Sequence, residues 1–254
     1  MIEFNEDQKK AIKEVNTFFD SNEKIFVLKG PGGTGKTFIA QELMKGKDAL
    51  FIAPTHKAKA VLSQYTGSEA ITLASSLAIK LNDSTGKFQA DKFKRQTGEI
   101  PISKKKYVVI DECSMISDQL VDEIIELSRD DAKIICLGDE KQLPAVGQEN
   151  DSKIFDFRGY SLTTIVRQRP NSNIRKHLNK LRQNIESSSP LERALDKADE
   201  STDFLYYKEI DKFITAFCFD INMGHRAKIV TYNNHNHNNP QSVKQMNIAV
   251  REMM

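Results

Sequence analysis

Gly30-Pro31-Gly32-Gly33-Thr34-Gly35-Lys36-Thr37 satisfies the pattern G-x-x-x-x-G-K-[ST] at every position. A loop of this composition turns backbone N–H groups inward around a polyphosphate, and the helix that follows adds partial positive charge from its N-terminus. Gly30, Gly32, Gly33, Thr34 and Gly35 then form the cradle, Lys36 reaches the β- and γ-phosphates, and the Thr37 hydroxyl ligates Mg²⁺. The bland alternative, a glycine-rich turn, does not account for the Lys-Thr pair at the end. Val108-Val109-Ile110-Asp111-Glu112 closes an apolar run with two carboxylates. Asp111 suits the metal, and Glu112 suits a base that orients and deprotonates the attacking water. Paired acids are common on solvated surfaces; downstream of a matching phosphate loop they acquire a partner. Gly138-Asp139-Glu140-Lys141-Gln142 ends a further apolar run, where the Gln142 amide either meets the γ-phosphate or the water, or is simply part of a polar turn. No N-K-x-D guanine-reading motif occurs.

These residues need elements to hold them. Ala11, Ile12, Val15, Phe18 and Phe19 lie at helical spacing and predict an amphipathic helix over 6–19, with Asn5 and Gln8 spaced as a capping pair. Strands are expected at 25–28, 49–53, 107–110 and 134–137, with helices at 36–45, 56–64 and 118–128. Alternation of this kind predicts an α/β fold, a parallel sheet covered on both faces, with its ligand beyond the carboxyl ends of the strands. Residues 82–106 interrupt the rhythm with turn-forming clusters and predict an inserted hairpin-like element. A second break falls at the Ser/Pro-containing stretch before residue 203. Beyond it Phe204–Tyr207, a helix near 209–220 and Lys228–Tyr232 look like a fresh β-α-β start.

The 254 residues suffice for one to two domains, and 37 Lys and Arg against 35 Asp and Glu leave a formal charge of only +2. No apolar run is long enough to span a membrane, and the charged N-terminus does not read as a signal peptide. Cys113, Cys136 and Cys218 are odd in number and lack a CxxC pair, so reduced thiols and a cytoplasmic setting are expected rather than a disulfide framework or a zinc site. His235 and His237 alternate without a carboxylate or thiol companion and predict no metal site.

Taken in order, the motifs resemble superfamily 1 DNA helicases of the RecD-like, Dda-like group, related to the Pif1 helicases. Gln8 in FNEDQKKAI is similar to the adenine-reading glutamine, or else is only a helix-capping residue. GPGGTGKT is motif I, and Ala53-Pro54-Thr55-His56-Lys57-Ala58-Lys59 is similar to motif Ia. Asp111-Glu112-Cys113-Ser114-Met115 is motif II, and GDEKQLPAV is motif III. Leu162-Thr163-Thr164-Ile165-Val166-Arg167-Gln168 resembles the segment whose arginine contacts the γ-phosphate; Arg167 by itself could equally be a surface salt-bridge partner. Ile229–Asn234 with Asn247 and Arg251 is similar to the opening of a second RecA-like domain. The resemblance implies a RecA-like ATPase domain over 1–186, a linker at 187–203 and the beginning of a second domain over 204–254, with motifs V and VI lying past residue 254. It implies ATP and Mg²⁺ as cofactors and 5′ to 3′ movement on single-stranded DNA. Duplex forks and replication or recombination proteins are its implied partners, in a bacterial or phage-infected cell.

For nucleic acid, the resemblance points to Pro54, Thr55, His56 and Lys57, and to Thr72 and Ser75 in a Thr-x-His-Ser-like element where Ala74 replaces the histidine. The near-neutral total also hides local charge. Residues 87–106 carry seven basic side chains against two acids, interleaved with Phe88 and Phe93, and 167–182 carry six with no acid. Charge runs are usually solvated faces, but aromatics within a basic setting hold single strands by stacking. Phe88 or Phe93 would then be either the pin of the inserted element or part of its packing. Two other readings compete: a non-motor module that binds ATP or DNA, and a P-loop kinase, in which Glu112 and GDEKQLP have no role.

Overall fold

Helix α1 (Glu6–Phe19) opens with the expected capping box. The Asn5 side chain accepts the Gln8 N–H at 2.8 Å, and the Asn5 N–H donates to Gln8 Oε1 at 3.2 Å. Its inner face buries Ala11, Val15 and Phe18. The computed structural model describes residues 3–81, 88–142, 145, 148, 150–167, 179, 180, 182, 183 and 210–223. The chain divides into two units, Met1–Pro170 and Asn171–Met254.

In the first unit the chain continues through β1 (Ile25–Lys29), α2 (Lys36–Met44), β2 (Ala49–Ala53), α3 (His56–Thr66), β3 (Ala70–Thr72) and the short α4 (Leu73–Ser76). A small hairpin follows, β4 (Ile79–Leu81) and β5 (Phe88–Ala90), then α5 (Lys92–Gln96), β6 (Tyr107–Ile110), α6 (Asp118–Leu127), β7 (Lys133–Gly138) and β8 (Gly159–Ser161). Six strands form one sheet in the order β3-β2-β6-β7-β1-β8, and every pairing in it is parallel. This is the α/β architecture expected from the alternation of apolar runs and amphipathic stretches.

Because side chains alternate across a strand, each strand feeds two cores. Ile25, Val27, Ile52, Val108, Ile110, Ile134 and Cys136 pack on one face with Val121 and Ile124 of α6. Phe26, Leu28, Phe51, Val109, Ile135 and Leu137 pack on the other against α1, α2 and α3. Burying a large apolar chain of this kind contributes about 1.5–3 kcal/mol. With both faces covered, only the strand ends remain for chemistry. The register sets those ends level: Lys29 stands opposite Gly138, and Ile110 opposite Cys136.

Two strands, β3 and β8, were not expected. Each has three residues, and β8 is Gly-Tyr-Ser, with no apolar run to mark it. The inserted element begins earlier than residue 82, since β4 pairs Ile79 with Ala90 and Ile79 is buried. Residues 82–87 lie outside the described residues. The arm after β5 is anchored by Arg95, which donates to Glu123 at 2.5 Å and to the Leu77 carbonyl at 3.3 Å. In the second unit the helix expected near 209–220 is α7 (Ile210–Asn222), burying Ile214 and Cys218. The expected linker at 187–203, the runs at 204–207 and 228–232, and the motif residues at 229–234, 247 and 251 lie outside the described residues. Among the described residues no helix is long and apolar enough to cross a membrane.

Candidate active site

The loop after β1 is held from both sides. At Gly30, φ is +141° and an added Cβ would lie 2.3 Å from the Leu162 carbonyl oxygen, so no side chain fits there. Gly35, at φ +91°, starts α2 and has Gln8 Nε2 where a Cβ would point, 2.6 Å away. Gln8 is itself buried and donates through Nε2 to the Thr34 carbonyl at 3.1 Å. The capping role of Gln8 and its place behind the phosphate loop are therefore one arrangement, made by opposite ends of the same amide. Thr34 is buried and turns its hydroxyl back to the Pro31 carbonyl at 3.1 Å. Gly32 has open space before it.

Lys36, at the first position of α2, places Nζ 2.7 Å from the Gly30 carbonyl and 3.1 Å from that of Pro31. Burial pulls this ammonium below its ordinary value, while the carboxylates of Asp139, Asp111 and Glu112 oppose the shift. Thr37 Oγ1 lies 3.3 Å from Asp111 Oδ2, which brings the two expected metal ligands together although they are 74 residues apart in sequence. The other Asp111 oxygen accepts the Glu112 N–H at 3.0 Å. Two hard oxygen donors side by side, with a phosphate cradle next to them, suit Mg²⁺, which favours carboxylate, hydroxyl and phosphate oxygens.

Glu112 adopts φ 53° and ψ 45°, a left-handed conformation unusual for a residue with a side chain. Burial pushes its carboxyl up, and Asp111 beside it does the same. Burial also raises Asp111, against the pull of the Glu112 N–H and Lys36. The thiols next in line are inert by the same physics. Burial raises Cys113 and holds Cys136 at about 12.

A cavity of about 600 Å³ opens at the strand ends. Gly32, Gly33, Gly35, Lys36, Thr37, Asp111, Glu112, Gln142 and Arg167 all line it. Arg167 reaches this place because the Val166 and Arg167 N–H groups donate to the Gly33 carbonyl at 2.8 and 3.1 Å. Its charge acts on Glu112, lowering that carboxyl against the larger effect of burial. The expected phosphate, metal and arginine residues therefore converge on one cavity.

Most of the residues expected at a DNA strand follow the neighbouring ends of β2 and β3, where Ala53 stands opposite Thr72. Thr55 caps α3, accepting the Ala58 N–H at 3.1 Å, and with Lys57 it lines the rim of the same cavity. His56 is exposed and Pro54 half-buried. Thr72 is buried, caps α4, and meets Ser75 hydroxyl to hydroxyl at 2.8 Å. Phe93 is 69% exposed, so it is not part of the packing of the inserted element. The Phe88 side chain and residues 168–178 lie outside the described residues.

The family model described as an AAA domain matches residues 3–202. The chain belongs to this AAA domain family. An uncharacterized protein of Acanthamoeba polyphaga mimivirus is 35% identical over 175 residues, covering 60% of this chain and 35% of its own length. The ATP-dependent DNA helicase Dda of Enterobacteria phage T4 is 32% identical over 159 residues, again 60% of this chain and 35% of its own. The ATP-dependent DNA helicase Pif1 of Campylobacter jejuni is 28% identical over 191 residues, 66% of this chain and 41% of the relative. The chain thus spans well under half the length of these curated relatives. In fold it matches a Bacteroides Pif1 helicase solved with ADP-AlF3 and single-stranded DNA, at TM-score 0.55 and 21% identity over 93% of this chain and 62% of that one. The Pif1 helicase of Candida albicans matches at TM-score 0.57 and 18% identity, over 92% of this chain and 57% of that one. The motif-level resemblance to the N-terminal portion of Dda- and Pif1-like helicases is borne out, and the sheet is that of their RecA-like P-loop domain.

Within this AAA domain several site residues escaped sequence reasoning. Asp139 is buried at the end of β7, lines the cavity and faces Lys36. Phe38, Val61, Tyr65 and Met115 add an apolar wall to the cavity. Asp139 sat within the quoted GDEKQLP stretch and was passed over for Gln142. Phe38 stands on α2 and Val61 and Tyr65 on α3, where apolar residues read simply as helix packing, and Met115 closes the turn after the paired acids.

Proposed function

We propose that this chain is the ATP-hydrolysing portion of a DNA helicase that couples turnover to movement along single-stranded DNA and opening of duplex forks. One observation carries the reading: Lys36, Thr37, Asp111, Glu112 and Arg167, drawn from three separate strand ends, line a single cavity of about 600 Å³. Thr37 and Asp111 would hold Mg²⁺, which would supply positive charge to neutralise the phosphates. Lys36 binds the outer phosphates by releasing the Gly30 and Pro31 carbonyls. Glu112, held by its backbone conformation at the cavity wall, accepts a proton from water. Arg167 meets charge that develops on the transferring phosphoryl group, and Gln142 at the rim orients the water or the γ-phosphate. Gln8 reads adenine in this scheme from its place behind Gly35.

Travel from 5′ to 3′, contact with replication or recombination proteins, and a bacterial or phage-infected cytoplasm belong to the same proposal, on the strength of the motif resemblance alone. For the strand itself, Pro54, Thr55, His56, Lys57, Ser75 and Phe93 are the proposed contacts. The test is ATP turnover by the purified chain with and without single-stranded DNA, beside Lys36→Ala. Removing this charge should lower turnover by about 10²–10³-fold. Equal turnover in the variant would overturn the assignment, and nucleotide binding without DNA-stimulated hydrolysis would support a non-motor module instead.

A further inference from the structure

Asp7 reaches from the first turn of α1 to a segment 156 residues away. Its Oδ2 accepts the backbone N–H groups of Thr163 at 2.8 Å and Thr164 at 2.9 Å, and the Thr163 hydroxyl at 3.3 Å. Its Oδ1 accepts the Tyr160 hydroxyl at 2.9 Å. Residues 162–167 form an arch with both feet on the phosphate loop. At one foot the Leu162 N–H donates to the Lys29 carbonyl at 2.8 Å, with the Leu162 carbonyl against Gly30. At the other, Val166 and Arg167 donate to the Gly33 carbonyl. Asp7 holds the crown of that arch, while the next residue, Gln8, holds the Thr34 carbonyl. Burial works against the Asp7 carboxylate, yet the N–H groups of Thr164 and Thr163 and the Tyr160 hydroxyl outweigh it and keep the group below the ordinary aspartate value.

We propose that Asp7 is a positioning residue of the nucleotide site: by fixing the 162–167 arch it aims Arg167 at the terminal phosphoryl group. The inference rests on the ATP-hydrolysis reading above and deepens it. A carboxylate is needed because all four donors point at it. An asparagine of the same shape keeps one accepting oxygen and turns an NH₂ group towards donors that it cannot satisfy. The feet of the arch survive that change, so the loop and Lys36 still bind nucleotide. What loosens is the crown, and with it the direction of the arginine. Interactions made only as charge develops on the phosphoryl group are then lost, while ground-state binding remains.

The experiment uses the full chain, with Asp7→Asn, Asp7→Glu, Tyr160→Phe, Arg167→Ala and the Asp7→Asn/Arg167→Ala pair. Fluorescent methylanthraniloyl-ADP reports ground-state binding, and its tightening on addition of aluminium fluoride reports transition-state stabilisation. Asp7→Asn is expected to leave ADP affinity within about twofold of wild type and to reduce both the tightening and kcat about tenfold with KM unchanged. Tyr160→Phe, which removes one of four hydrogen bonds, has a smaller effect. The double variant should be no worse than Arg167→Ala alone, because Asp7 acts through that arginine. Equal losses in ADP affinity and in tightening, or effects that multiply in the pair, would show a merely structural role and overturn the inference. If wild type tightens on fluoride and Asp7→Asn matches it, the inference falls while the hydrolysis reading stands. If wild type itself neither tightens nor hydrolyses, both fall.

Discussion

Two regions of the sheet's carboxyl end, the central strands and the β2–β3 side, treat their polar residues differently. At β1, β6 and β7, charged groups point at one another across a shared space: Lys36 faces Asp139, Asp111 and Glu112, and Thr37 meets Asp111. At β2 and β3, the threonines accept N–H groups of their own helices, with Thr55 capping α3 and Thr72 capping α4. On the proposed reading, phosphoryl transfer needs several groups placed on one small target, which suits residues fixed before the ligand arrives. A strand gripped without regard to sequence needs only a charged, stackable surface, and those residues are free to serve the fold first.

That contrast is open to direct attack. The largest effect is expected at Glu112→Gln, which keeps the shape and removes the base; turnover in the presence of single-stranded DNA should fall about 10²–10⁴-fold while Mg·ATP still binds. Near-normal turnover would mean that the central strands do not supply the base. Next comes Phe93→Ala on the inserted element. Its ring is exposed, so thermal stability should stay within about 0.5 kcal/mol of wild type. Single-stranded DNA affinity, measured by fluorescence anisotropy, should weaken by about 1–3 kcal/mol if a base stacks there. The smallest effect is expected at Thr72→Ala, a loss of about 1 kcal/mol of stability from the missing cap. ATP turnover and strand affinity should not change. A marked loss of strand affinity at Thr72 with stability intact would erase the difference between the two regions.

How much of this was legible in the sequence depended on distance along the chain. The phosphate loop lies within eight consecutive residues, and its flanking strand and helix can be read from apolar runs beside it. Asp111 and Glu112 follow a run of four apolar or aromatic residues, and the register then carries them to the loop. Asp139 was harder, since its value comes from β7 lying between β6 and β1, which no local pattern states. Asp7 was invisible in any practical sense. It reads as an ordinary first-turn acid favoured near a helix N-terminus, and its real partners are Tyr160, Thr163 and Thr164. β8 went unseen because an edge strand of three residues needs no alternating pattern to pair with β1.

The strand order has a consequence for how the molecule comes into being. β1 is among the first elements synthesised, yet both of its neighbours, β7 and β8, are the last two strands of the sheet. Such pairings close very long loops of chain, which makes them slow to form. The loop that follows β1 cannot acquire its Gly33 and Lys29 hydrogen bonds until residue 167 has been made and placed. A ribosome-bound chain can therefore display the whole GPGGTGKT signature before the loop has the hydrogen bonds that fix its shape. The loop takes its described form only once β8, the last described strand, docks beside β1.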